Sequence, residues 1–210
     1  MTLPRPHHNR LLALGAALTL LLTGCGGNTS AVRPAEVNPV ISQQNMATTH
    51  TSLDTQGQSD YMMAVNSYKN GNLKTAETMF LAMTQTHPEL AGPHANLGMI
   101  YNTQGESGKA EVAFNQALTL KSDMPEVYNQ LAILQRNKGE FNKALQSYQA
   151  GLKVAPDNPN LLINLGILYD LYLNQPQEAL KLWQRYKAIS GEDKQVDTWI
   201  ADINQRSTSQ

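Results

Sequence analysis

The chain has 210 residues, 41% hydrophobic and 16% charged, enough apolar content for one or two packed domains. Lys plus Arg number 16 against 17 Asp plus Glu, a net charge of −1. With no cationic excess to displace counterions from phosphate, a nucleic-acid partner is not expected. The single cysteine, Cys25, excludes an internal disulfide framework and a multi-cysteine metal site.

The chain opens with Arg5 and Arg10, and no acidic residue precedes Glu36. Leu11 to Leu22 is an apolar run of 12 residues, too short for a membrane-spanning helix and suited to the apolar core of a signal peptide. It ends in Leu22-Thr23-Gly24-Cys25, which resembles the lipobox of bacterial lipoproteins. The resemblance implies a signal peptide over residues 1–24, cleavage after Gly24, and a diacylglycerol thioether with N-terminal acylation on Cys25. Several chains on one residue hold a membrane far more firmly than one, since each buried methylene contributes about 0.8 kcal/mol. Gly26 stands where an Asp retains lipoproteins in the inner membrane. By resemblance, this implies an outer-membrane anchor facing the periplasm of a Gram-negative bacterium.

Residues 25–59 read as the lipidated cysteine followed by a tether. Gly26 to Ser59 is rich in Gly, Asn, Thr, Ser, Gln and Pro, has no aromatic, and carries only Arg33, Glu36 and Asp54 as charges. Such a segment buries too little apolar area to offset chain entropy, so disorder is expected, with an average reach of roughly 30 Å.

From residue 60 to 192 the sequence repeats. Ala64, Gly98, Ala132 and Gly166 recur in steps of 34. Ala76, Ala110, Ala144 and Ala179 follow in steps of 34, 34 and 35. Each of these alanines is trailed by an aromatic four residues on, at Phe80, Phe114, Tyr148 and Trp183. Gly71, Gly105 and Gly139 punctuate the same register. The pattern resembles the tetratricopeptide repeat, a helix–turn–helix unit. The resemblance implies an all-α fold, a right-handed superhelical solenoid of four such units. Leu97, Gly98 and Tyr101 then share a face of one helix, and Ala110, Phe114 and Ala117 share a face of its partner. Pro88 and Pro156 end second helices.

Several positions depart from the family pattern. Asp60 and Ser67 replace large apolar residues in unit one, which predicts a loosely packed first helix. Met62, Met63, Met79 and Met83 cluster there, either as gap-fillers or as an adaptable surface. Unit four gains one residue within Leu173-Asn174-Gln175-Pro176, which predicts a longer turn, with Pro176 first in the next helix. Ser190-Gly191-Glu192-Asp193 reads as a capping box. It precedes a last helix over 193–206, whose Val196, Trp199, Ile200 and Ile203 shield the open end of the solenoid.

The chemistry-bearing residues do not converge. His87 and His94 are the histidines of the repeat region; they stand at no metal-ligand spacing, and no phosphate loop or nucleophile elbow is present. The sequence therefore reads as a protein without catalysis, metal or cofactor. In a repeat solenoid the first helices line the concave groove. One residue beyond each small packing residue stand Val65, Met99, Ile133 and Ile167, an apolar stripe flanked by Tyr61, Tyr68, Asn102, Asn129 and Arg136. These nine residues form the candidate partner-binding groove. The Lys and Asn that grip a C-terminal carboxylate in chaperone-binding relatives are absent, because Tyr61, Val65 and Ala95 occupy the matching positions. Similar lipoproteins serve type IV pilus or secretion assembly, as pilotin-like proteins. Others act as adaptors or regulatory subunits of peptidoglycan enzymes. The expected function is a lipid-anchored periplasmic scaffold for a protein partner, in pilus or secretion assembly or, alternatively, beside a cell-wall enzyme.

Overall fold

A computed structural model describes residues 53–208. Cys25, the signal segment and most of the expected tether lie outside the described residues. Helices fill the described chain and no strand occurs within it. The first pair is α1 (Thr55–Lys69) and α2 (Leu73–Thr86), and the second is α3 (Ala91–Thr103) and α4 (Ser107–Leu120). The third is α5 (Pro125–Asn137) and α6 (Phe141–Val154). The fourth is α7 (Pro159–Ile167) and α8 (Pro176–Ser190), followed by α9 (Lys194–Thr208). Each helix packs on its pair mate and on the next unit, which makes the right-handed solenoid of the repeat pattern.

Close approach within a pair is set by the small residues of the register. A Cβ on Gly98 would meet the Phe114 ring at 2.5 Å, and one on Gly166 would overlap the Trp183 indole. The facing helix supplies Ala110, Ala113, Phe114 and Ala117 as one buried stripe, at the spacing of a single helical face. Helix α5 serves two cores. Val127, Leu131 and Leu134 pack toward unit two, while Ala132 and Ile133 join the cluster around Tyr148 and Leu161. Units are also stitched at a fixed offset. Gln104 Nε2 donates to Glu77 at 3.4 Å, and one repeat later Lys138 Nζ donates to Glu111 at 2.5 Å.

Three local expectations are corrected. Helix α1 starts at Thr55, inside the stretch read as tether. Asp54 accepts from Gly57 N at 2.7 Å as N-cap, and Leu53 is buried beneath the first turn. The extra residue of unit four does not lengthen the turn. It is absorbed in a π turn over Leu168–Tyr172, where Leu173 N donates to Leu168 O. Only Leu173, Asn174 and Gln175 then separate the helices, as Gln104, Gly105 and Glu106 do in unit two. Asn174 takes the left-handed conformation (φ 51°) that glycine takes in units one to three. Finally, Ser190 ends α8 rather than capping α9. Asp193 caps α9, its Oδ1 accepting from Gln195 N at 2.9 Å. That last helix buries Val196 and Ile203, stacks Trp199 on Trp183 at 5.0 Å, and pairs Arg206 with Asp170 at 2.8 Å. No described helix is long and apolar enough to cross a membrane.

Candidate partner-binding face

The first helices α1, α3, α5 and α7 form one layer of the solenoid, and every groove residue read from the sequence in units one to four lies on it. The apolar stripe keeps its line but is drawn into the layer. Met99, Ile133 and Ile167 are buried and Val65 is half-buried. The small residue before each one lets neighbouring helices approach, so the next side chain fills the crevice. Met99 and Val65 pack in the cluster of units one and two, and Ile133 in that of units three and four.

The flanking polar residues are mostly buried as well. Tyr61 is buried and its hydroxyl accepts from Asn96 Nδ2 at 2.7 Å. Tyr68 is buried with its hydroxyl 3.4 Å from Thr103 Oγ1. Asn129 Oδ1 accepts from Asn164 Nδ2 at 3.0 Å. Asn102 is half-buried. Arg136 is buried with its guanidinium 5.8 Å from the centre of the Tyr172 ring, and its Nε and Nη1 have no partner. Gln130 Nε2 and Asn164 Oδ1 are unpartnered too. These groups sit on α5 and α7, so the polar demand of the layer concentrates in its second half.

Burial, not charge, governs Tyr61 and Tyr148. It pushes the Tyr61 hydroxyl up to about 12 against the partly offsetting Asn96 hydrogen bond. Burial also raises Tyr148, despite the nearby Arg136 charge. Both are neutral at pH 7 and act as packing groups. No group of three or more His, Cys, Asp or Glu among the described residues could hold a metal ion.

Sequence reasoning missed Asn96, Gln130 and Asn164, although they carry the layer's amide chemistry. The signal was available, since an amide side chain recurs there in steps of 34. Cavities among the described residues border the same layer from α5 and α7. One of about 390 Å³ is bordered by Asn115, Tyr128, Gln135 and Ser147, and one of about 310 Å³ by Asn160, Tyr186, Asp193 and Trp199.

Residues 91–124, which are α3, α4 and the turn that follows, match the family profile described as tetratricopeptide repeat. Residues 134–170 match a second profile, described as TPR repeat. Two stretches of the chain thus match tetratricopeptide-repeat profiles. Solved structures with the same fold include Pseudomonas aeruginosa pilF, at 18% identity and a TM-score of 0.65, covering 73% of this chain and 69% of that one. MamA from Desulfovibrio magneticus RS-1 is similar at 15% identity and 0.64, covering 75% and 88%. A tetratricopeptide repeat protein from Parabacteroides merdae is similar at 20% identity and 0.65, covering 74% and 62%. At these identities the likeness is one of fold. No curated protein matches the sequence.

Proposed function

We propose that this chain is a non-catalytic scaffold, held on the periplasmic side of the outer membrane by lipid on Cys25. It grips a protein partner along the first-helix layer and serves type IV pilus or secretion assembly. The observation that carries the reading is the set of unpaired polar atoms on α5 and α7: Gln130 Nε2, Arg136 Nε and Nη1, and Asn164 Oδ1. A buried polar group without a partner costs about 1–3 kcal/mol. These groups are sealed between the first helices, so a partner's carbonyls, amides or carboxylates reach them, and recover that cost, only where the layer opens on docking. The pilus or secretion assignment rests on the order lipobox, tether, short solenoid. The fold likeness to pilF agrees with it in fold alone.

The test is fractionation of cells carrying the wild-type, Cys25→Ser and Arg136→Gln chains, with mass spectrometry of the N-terminal peptide and of co-purified proteins. The wild type is expected in the membrane fraction with a lipidated Cys25, and Cys25→Ser off it. Arg136→Gln is expected to keep the anchor and melting temperature but lose the co-purified partner. An unmodified Cys25 in the wild type contradicts the anchor. Full partner recovery with Arg136→Gln contradicts the binding face.

A further inference from the structure

The two ends of the solenoid are finished differently. The C-terminal end is closed by α9. At the N-terminal end the outer face of α1 is bare: Met62 is 48% exposed and Met63 47%. One repeat later the residue matching Met63 is Leu97, then Leu131, then Leu165, at 3%, 4% and 3%. Those matching Met62 are Asn96, Gln130 and Asn164, all buried. Ser59 and Asn66, also exposed, complete the face; their counterparts in units two to four are buried in every case. In those units the preceding second helix packs against this face. The molecule thus shows three times what belongs on the outer face of α1.

We propose that residues 39–52 seat on this face as the second helix of a half-repeat. The 34-residue register runs upstream into that segment. Ser42 takes the small-residue position of Ala76, Ala110 and Ala144. Met46 takes the large apolar position of Phe80, Phe114 and Tyr148. Pro39 matches Leu73, Ser107 and Phe141, the first residues of α2, α4 and α6. Proline suits that position and opens α5, α7 and α8 in this same chain. Residues 39–52 hold no Asp, Glu, Lys or Arg, and Ser59, Met62, Met63 and Asn66 are uncharged, so docking desolvates no charge.

Leu53, the first described residue, lies at this end, so the segment before it is tethered here. A segment tethered to its own site acts at an effective concentration in the millimolar range, ahead of a second copy. Fourteen residues rich in Thr and Ser are too short to hold a helix alone, so the helix forms with docking. Head-to-tail stacking of copies is blocked by α9, which leaves the intramolecular occupant with the matching register.

The test is peroxide footprinting of the full chain, reading sulfoxide at Met62 and Met63 by mass spectrometry, with amide exchange over residues 42–50. In the wild type both methionines are expected to oxidise several-fold slower than in Met46→Asp, and the amides to be protected. Met46→Leu is expected to behave as wild type. Equal oxidation rates in wild type and Met46→Asp overturn the proposal. So does protection that vanishes on dilution, which assigns the face to a second copy.

Discussion

Asn96 Nδ2 donates to Tyr61 OH at 2.7 Å across one repeat, and Asn164 Nδ2 donates to Asn129 Oδ1 at 3.0 Å across another, both between residues 35 apart. The rung between them is missing. The residue 35 before Gln130 is Ala95, whose side chain has no polar atom, and Gln130 Nε2 has no partner. The first-helix layer is therefore joined by side-chain amides at two of its three junctions.

This asymmetry predicts opposite outcomes for two substitutions. Tyr61→Phe removes an acceptor from Asn96 Nδ2, which keeps its bond to Gly92 O at 3.0 Å. A loss of about 1 kcal/mol is expected. Gln130→Leu removes a donor that no described acceptor meets, so stability is expected to hold or rise. Denaturant titration of both variants checks the pair.

Glycines in the register and outside it are expected to differ. Gly98→Leu drives a side chain into the Phe114 ring and is expected to cost about 1–3 kcal/mol. A Cβ on Gly108 meets no atom within 4 Å, and its place in α4 favours alanine. Gly108→Ala is expected to be neutral or stabilising by a few tenths of a kcal/mol. A Gly98→Leu chain that melts with the wild type contradicts the packing described above.

Alkaline pH is expected to weaken the fold through Tyr61. Its hydroxyl is held up to about 12 by burial, above its ordinary value of 10.0. A raised folded pKa means that the folded chain holds the proton more tightly. That contribution is complete below pH 10 and is lost as pH rises toward about 12. The loss attributable to Tyr61 is about 2–3 kcal/mol. Tyr61→Phe should flatten the fall of stability across that window relative to wild type. Tyr148→Phe should flatten it further, because burial raises Tyr148 in the same direction. Melting curves at intervals of pH, with far-UV spectra confirming the helix content, provide the measurement.

The solenoid was legible because its constraints repeat. Ala76, Ala110, Ala144 and Ala179 with their trailing aromatics announce four helix pairs in the sequence itself. What escaped reading is what occurs once. The early start of α1 depends on one cap, Asp54, and one buried side chain, Leu53. The π turn at Leu168–Tyr172 looks like an inserted loop residue in sequence. The stripe Val65, Met99, Ile133 and Ile167 was legible as a line, but not its depth, which depends on how closely neighbouring first helices approach. Met99→Glu and Ile133→Glu are consequently expected to report on folding, since each places a carboxylate in a packed crevice. Asn102, half-buried at the edge of the layer, is the better position from which to probe binding.

In-cell photo-crosslinking from Asn102, with Val112 as the control, tests the scaffold account most directly. Val112 lies on α4 and is 71% exposed, so it samples the opposite helix layer at least as freely. The account predicts a discrete crosslinked product from Asn102, containing an envelope protein, that weakens with Arg136→Gln and is absent from Val112. Equal products from both positions, or a product from Val112 alone, would contradict binding on the first-helix layer.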